Sequence, residues 1–194
     1  MTRKEILVFQ LREIRNELAN ALEGLTPEQL ATVPVAGKRN PIGWIICHCM
    51  RGLDFFLHKT LTGTHYMDGK EKFAAFQRYA DRGPGPENPA PDLSGLAEAC
   101  DELWAACIQC VETVPEDDLD KPGPHWSGRG PETVAGNCVR MINHHNAHLR
   151  AIWLLRGAMG ETEHYPHQTL AKRLDDPTGA FHVPDRQQPG PGDT

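Results

Sequence analysis

Between Glu132 and Met159 the chain carries a long stretch of helical period in which Asn137, Met141, His144, His148 and Leu155 fall along one direction. Two imidazoles at adjacent turns of an inward stripe are costly to desolvate unless each is hydrogen-bonded or bound to a cation. The remaining chain must therefore bring other helices, and a further polar or metal-ligating group, against that stripe. At about 100° per residue, His144 and His148 lie within roughly 40° of each other, one turn apart, so they can share one metal ion. His145 is turned about 100° from His144, towards a neighbouring element or solvent. Ten histidines in 194 residues also leave room for the plainer reading, in which the pair is ordinary core or surface histidine.

Three other segments have the same period. Thr2 to Leu25 opens with a capping-box pattern, Thr2 followed by Glu5, and sets Leu7, Leu11, Ile14, Leu18 and Leu22 on one face. Thr26-Pro27-Glu28-Gln29 repeats the start signal over a short apolar run, which predicts a brief helix or turn, followed by a loop through Gly37-Lys38-Arg39. Asn40-Pro41, read as cap then proline, opens a second long helix reaching to about Leu61. Asp92 to Val114 forms the third, with Leu96, Cys100, Leu103, Cys107, Cys110 and Val114 as its inward stripe. No run alternates with period two, so residues 4–157 are expected to form an all-α four-helix bundle without a sheet. The connection from Thr62 to Pro91 is long, holds one short amphipathic helix over Glu71 to Ala80, and reads equally as a lid or an exposed crossover.

The second helix offers a third imidazole. Ile45, Cys49, Gly52 and Phe56 share a direction, and His48 stands about 60° to one side, at the edge of the buried stripe. Gly52, one turn later, leaves room above it. Cys47 and Cys49 flank His48 but point about 100° away on either side, so they do not converge with it on one ion. His125-Trp126, in the loop before Pro131, could overhang a pocket or simply be solvated.

Composition narrows the function. Twenty basic against 26 acidic residues give a net charge of −6, which disfavours tracking of nucleic-acid phosphates. No run approaches the roughly 18 apolar residues of a membrane span, and Met-Thr-Arg-Lys-Glu-Ile lacks a signal-peptide core, so a cytoplasmic protein is expected. In that compartment the six cysteines are expected as thiols, and Cys107-x-x-Cys110 as part of a packing stripe rather than a redox motif. Residues 1–160 are expected as one domain, with 161–194 a polar, Pro- and Gly-rich extended tail.

Asn40-Pro-Ile-Gly-Trp-Ile-Ile-Cys-His48 and His144-x-x-x-His148-x-x-Ala-Ile152, at these helical positions, resemble the DinB-like (DinB/YfiT-like) metalloenzyme superfamily from about Lys4 to Gly157. The resemblance implies an up-up-down-down helix order, one divalent metal on His48, His144 and His148, and pairing as a homodimer. Zinc is the first expectation for the ion, with nickel or iron as alternatives. Three protein ligands leave a coordination position for water or substrate. The resemblance extends to the N-terminal domains of sulfoxide synthases around the W-x-x-x-H element, but their H-x-x-x-H-x-E ends here in Arg150, which helix geometry turns about 140° from the centre of the ligand face. The activity implied is activation of a low-molecular-weight thiol for transfer to an electrophile, as in the superfamily's thiol S-transferases. A metallohydrolase and a non-catalytic metal-binding or interaction protein are the alternatives. Hydrolysis would call for a general base, and neither His-bearing helix sets a Glu or Asp on the ligand face.

Overall fold

The structure is a computed structural model, and it describes residues 1–35, 40–123 and 132–160. Helix α1 (Arg3–Leu22) begins at a complete capping box: Thr2 Oγ1 accepts from the Glu5 backbone N–H while Glu5 accepts from that of Thr2. Helix α2 (Pro27–Ala31) repeats the device with Thr26 and Gln29 and carries proline at its first position. Helix α3 (Ile42–Leu53) departs from the expectation at its start. Pro41 itself is the N-cap and no side chain caps the helix, so Asn40 does not play the part assigned to it. The helix then widens into a π-helical segment (Asp54–Lys59) and closes with one α-turn, α4 (Thr60–Thr62), at Gly63, whose φ of 83° suits glycine.

Helix α5 (Glu71–Arg82) lies in the long connection and buries Phe73, Phe76 and Tyr79, spaced three apart, against α3 and α6. Helix α6 (Leu96–Thr113) is shorter than expected at its start, and its inward face runs through Trp104, Ile108 and Val111, leaving Cys110 and Val114 half-buried. A 3₁₀ turn (Glu116–Asp120) follows. Strands β1 (Pro122–Gly123) and β2 (Glu132–Thr133) pair antiparallel over two residues, a small correction to the sheet-free expectation. Thr133 then caps α7 (Val134–Ala158) by accepting from the Gly136 N–H.

Helices α1 and α3 each pack on both α6 and α7, so they stand diagonally across the bundle. Directions follow from side-chain pairs. Lys4 donates to the carbonyls of Glu112 and Val114, and Arg15 pairs with Asp101, so α1 and α6 are antiparallel. The Arg156 guanidinium, buried on α7, donates to the carbonyls of Ala21 and Glu23 and satisfies the C-terminal end of α1, so α1 and α7 are parallel. Gly52 lies against Met141 and His144, and His48 against His144 and His148, so α3 and α7 are antiparallel. The order is therefore up-down-down-up, and the expected up-up-down-down order is corrected. The long connection lies between two helices that run the same way, which is where a chain must travel back along the bundle.

One contiguous core joins the inward faces of all these helices. Among the described glycines the closest packing is at Gly43, where a Cβ would come within 2.6 Å of Leu93 Cδ1 and 3.0 Å of the Leu30 carbonyl oxygen. No described helix is long and apolar enough to cross a membrane. Gly37-Lys38-Arg39, His125-Trp126 and the tail over 161–194 lie outside the described residues.

Candidate metal centre

The buried face of α7 is broader than the sequence suggests and leaves two of the expected residues at its edge. Asn137, Met141 and Leu155 are buried as expected, but Cys138, His145, Leu149, Ile152 and Arg156 share the buried face, while His144 and His148 sit half-buried on its edge. His48 holds the matching edge of α3. The three edges face one another. His144 Nε2 lies 3.2 Å from His48 Nε2 and 3.2 Å from His148 Nε2. One candidate ligand atom from each ring falls within 4.8 Å of the others.

Hydrogen bonding alone does not account for this arrangement. A neutral imidazole nitrogen carries either one proton or one lone pair, so His144 Nε2 makes one good bond and leaves the other neighbour unmet. Three nitrogens about 2.0–2.1 Å from one ion at tetrahedral angles lie about 3.3–3.4 Å apart, close to the observed spacing. The donor set therefore fits a divalent ion. Burial pushes the pKa of His144 down to about 4, aided by His148 and His48, and burial lowers those of His48 and His148 as well. The rings are thus neutral near pH 7, the form a metal requires.

Neighbours fix the rings unequally. Trp44, one turn before His48, stacks on it with centroids 5.0 Å apart and planes 10° from parallel. His144 Nδ1 is buried with no hydrogen-bond partner among the described residues, and faces the backbone of Gly52. A Cβ at Gly52 would sit 3.6 Å from His144 Cε1, an ordinary van der Waals contact, so a small side chain fits there. His145 is fully buried, donates from Nδ1 to the Met141 carbonyl at 2.7 Å, and stands edge-on to Trp104. It faces a neighbour, and the solvent alternative is excluded. Arg150 is exposed, away from the cluster.

A second grouping, Cys49 with His144 and His145, is close enough to hold an ion by distance alone. Burial raises the Cys49 thiol well above its ordinary pKa and pushes His145 down to about 3, while His145 Nδ1 is already engaged. A thiolate there would be an unsolvated charge, so this trio is core packing. The six cysteines are all free, and five are buried.

His48 and His144 form one wall of a cavity of about 1190 Å³. Phe55, Phe56, Val139 and Met141 give it an apolar lining. Arg51, paired with Asp81 at 3.0 Å, and Arg140, paired with Glu132 at 2.6 Å, add two ion pairs. His65, from the long connection, completes the lining, and its Nδ1 lies 3.1 Å from Oδ2 of the fully buried Asp54. Asp54 Oδ1 also accepts from the Tyr66 N–H at 2.7 Å. Sequence reading missed this pair, because Asp54 and His65 meet only through the π-helical widening and the turn after Gly63.

A four-helix bundle with three convergent histidines between its second and last long helices, opening on a cavity, defines the class to which this chain belongs. The profile of the DinB superfamily matches residues 10–152, and the chain is a member of that superfamily. A comparison with curated proteins returns no match.

Proposed function

We propose that His48, His144 and His148 hold one divalent metal ion, and that the protein is an enzyme activating a small thiol for transfer to an electrophile. The observation that carries the first part is the position of His144 Nε2, 3.2 Å from two other imidazole nitrogens that it cannot serve at once by hydrogen bonding. Bound there, zinc, or nickel or iron, supplies a Lewis acid that lowers the pKa of a thiol brought to it. Trp44 and Gly52 set how the His48 and His144 rings are presented. Phe55, Phe56 and Met141 keep water from one side of the substrate, and Arg51 and Arg140 bring charge to the lining for polar substrate groups.

Membership of the DinB superfamily and a cavity sized for a small molecule support the reading. The carboxylates of Asp81 and Glu132 reach the cavity, and each is engaged by an arginine. A cytoplasmic location and a homodimer belong to the same proposal, and the free, mostly buried thiols suit a reducing compartment.

The test is metal analysis of protein purified without a histidine tag, followed by thiol-consumption assays with several small thiols. About one ion per chain and metal-dependent thiol loss are expected for a three-histidine site. A metal-loaded protein that hydrolyses esters but consumes no thiol would establish the hydrolase, and one with neither activity a binding protein.

A further inference from the structure

Asp54 is the only fully buried carboxylate among the described residues, and three donors converge on it. The N–H groups of Tyr66 and Met67 reach it at 2.7 and 3.4 Å, and His65 Nδ1 at 3.1 Å. A carboxylate accepts and does not donate when ionised, so this contact sets the His65 proton on Nδ1 and leaves a lone pair on Nε2. That nitrogen has no hydrogen-bond partner among the described residues, its side chain is 16% exposed, and its ring lines the cavity that His48 and His144 also line. Phe55 stands 6.0 Å from the ring, centroid to centroid, and limits its swing. A buried acid fixing the tautomer of an imidazole that opens on a cavity is the arrangement that prepares a proton acceptor.

We propose that His65 is the catalytic base of this cavity and that Asp54 is its positioning residue. The role rests on the thiol reading above. The S–H bond of the thiol breaks with its electron pair left on sulfur, and the proton passes to His65 Nε2. The thiolate forms the new sulfur–carbon bond as the carbon–halogen bond of an alkyl halide breaks, the halide leaves with that pair, and His65 returns its proton to water. The π-helical start at Asp54 serves this step by turning the carboxylate towards the segment after Gly63, a placement that widened helical turns commonly provide at sites.

Two measurements on the full chain test the assignment. Proton–nitrogen NMR correlation spectra of the His65 ring in the metal-free protein should show the proton on Nδ1, and Asp54→Asn should abolish that preference. With cysteine as thiol and monobromobimane as electrophile, His65→Gln in the zinc-loaded protein should lower kcat about 100-fold or more while KM moves by less than about threefold. Added imidazole should restore part of the rate to His65→Ala, which a purely structural role would not allow. Rates unchanged by both His65 variants, or a wild-type ring protonated on Nε2, overturn the proposal. If the wild type consumes no thiol, the thiol-transfer reading fails by itself, and the Asp54–His65 arrangement is then decided by the tautomer alone.

Discussion

His145 stands edge-on against Trp104, with ring centroids 4.8 Å apart and planes at 71°, and both side chains are buried. Its sequence neighbour His144 points instead into the cluster with His48 and His148. One step along α7 thus separates a packing imidazole from one of a convergent set, and alanine replacement should separate them too.

His48→Ala, His144→Ala and His148→Ala should each weaken metal binding at least about 100-fold and leave the fold intact, since each removes one of three donors from the edge of the core. His145→Ala should keep the metal and lose about 2–4 kcal/mol of stability, because it empties a core position against Trp104. Metal analysis and chemical denaturation of the four variants check this. Equal metal loss in His145→Ala and His148→Ala would defeat the assignment.

Acid should destabilise the protein through His145. Burial pushes its folded pKa down to about 3, whereas an unfolded histidine titrates near about 6.5. Between those values the unfolded chain binds a proton that the folded chain refuses. Stability from this group is therefore full above pH ~6.5 and falls as pH drops towards ~3, by up to about 1.4 kcal/mol per pH unit. Denaturation curves from pH 7 to 4 should show the slope, and His145→Leu should reduce it, leaving the share that the lowered His48, His144 and His148 contribute.

Gly52→Ser should tighten metal binding several-fold. The His144 Nδ1–H that accompanies a ligating Nε2 is buried without an acceptor among the described residues, and a Cβ at Gly52 would lie 3.9 Å from that nitrogen. A hydroxyl there can accept the proton, and outer partners of this kind are worth about 10–100-fold in affinity. Competition with a chelator of known affinity measures the change, and Gly52→Ala serves as the control without an acceptor.

Gly43→Ala should destabilise the bundle by about 1–3 kcal/mol, since its methyl group meets Leu93 and the Leu30 backbone together. Thermal unfolding reads the loss, and metal content should not change. A neutral result would mean that Leu93 yields freely.

Much of the bundle was legible because its evidence is local. Thr2 with Glu5 and Thr26 with Gln29 announce helix starts within four residues, and the apolar spacing of α1 and α5 shows their inward faces. His48, His144 and His148 could be singled out by spacing and resemblance, and they do come together. Local evidence gave no purchase on helix direction, which depends on contacts such as Arg156 with Ala21 that span most of the chain. It also set the wrong histidine of α7 in the core: Asn137, Met141 and Leu155 are buried as expected, but a rotation of one residue decides whether His144 or His145 faces inward, and both are histidine. Asp54 and His65 were invisible for a third reason, since the π-helical segment breaks the 3.6-residue period on which any reading of α3 relies.

The up-down-down-up order has a consequence for how the protein is made. His48 leaves the ribosome 96 residues before His144, and at about 5–20 residues per second that interval lasts about 5–20 s. During it α1, α3 and α6 can pack without α7, while His48 waits as a single imidazole with little hold on any ion. Only α7, the last of the described helices to emerge, supplies the other two rings, so the donor set closes only once α7 is made, and a nascent chain without α7 has no complete set of donors in which to trap the wrong metal.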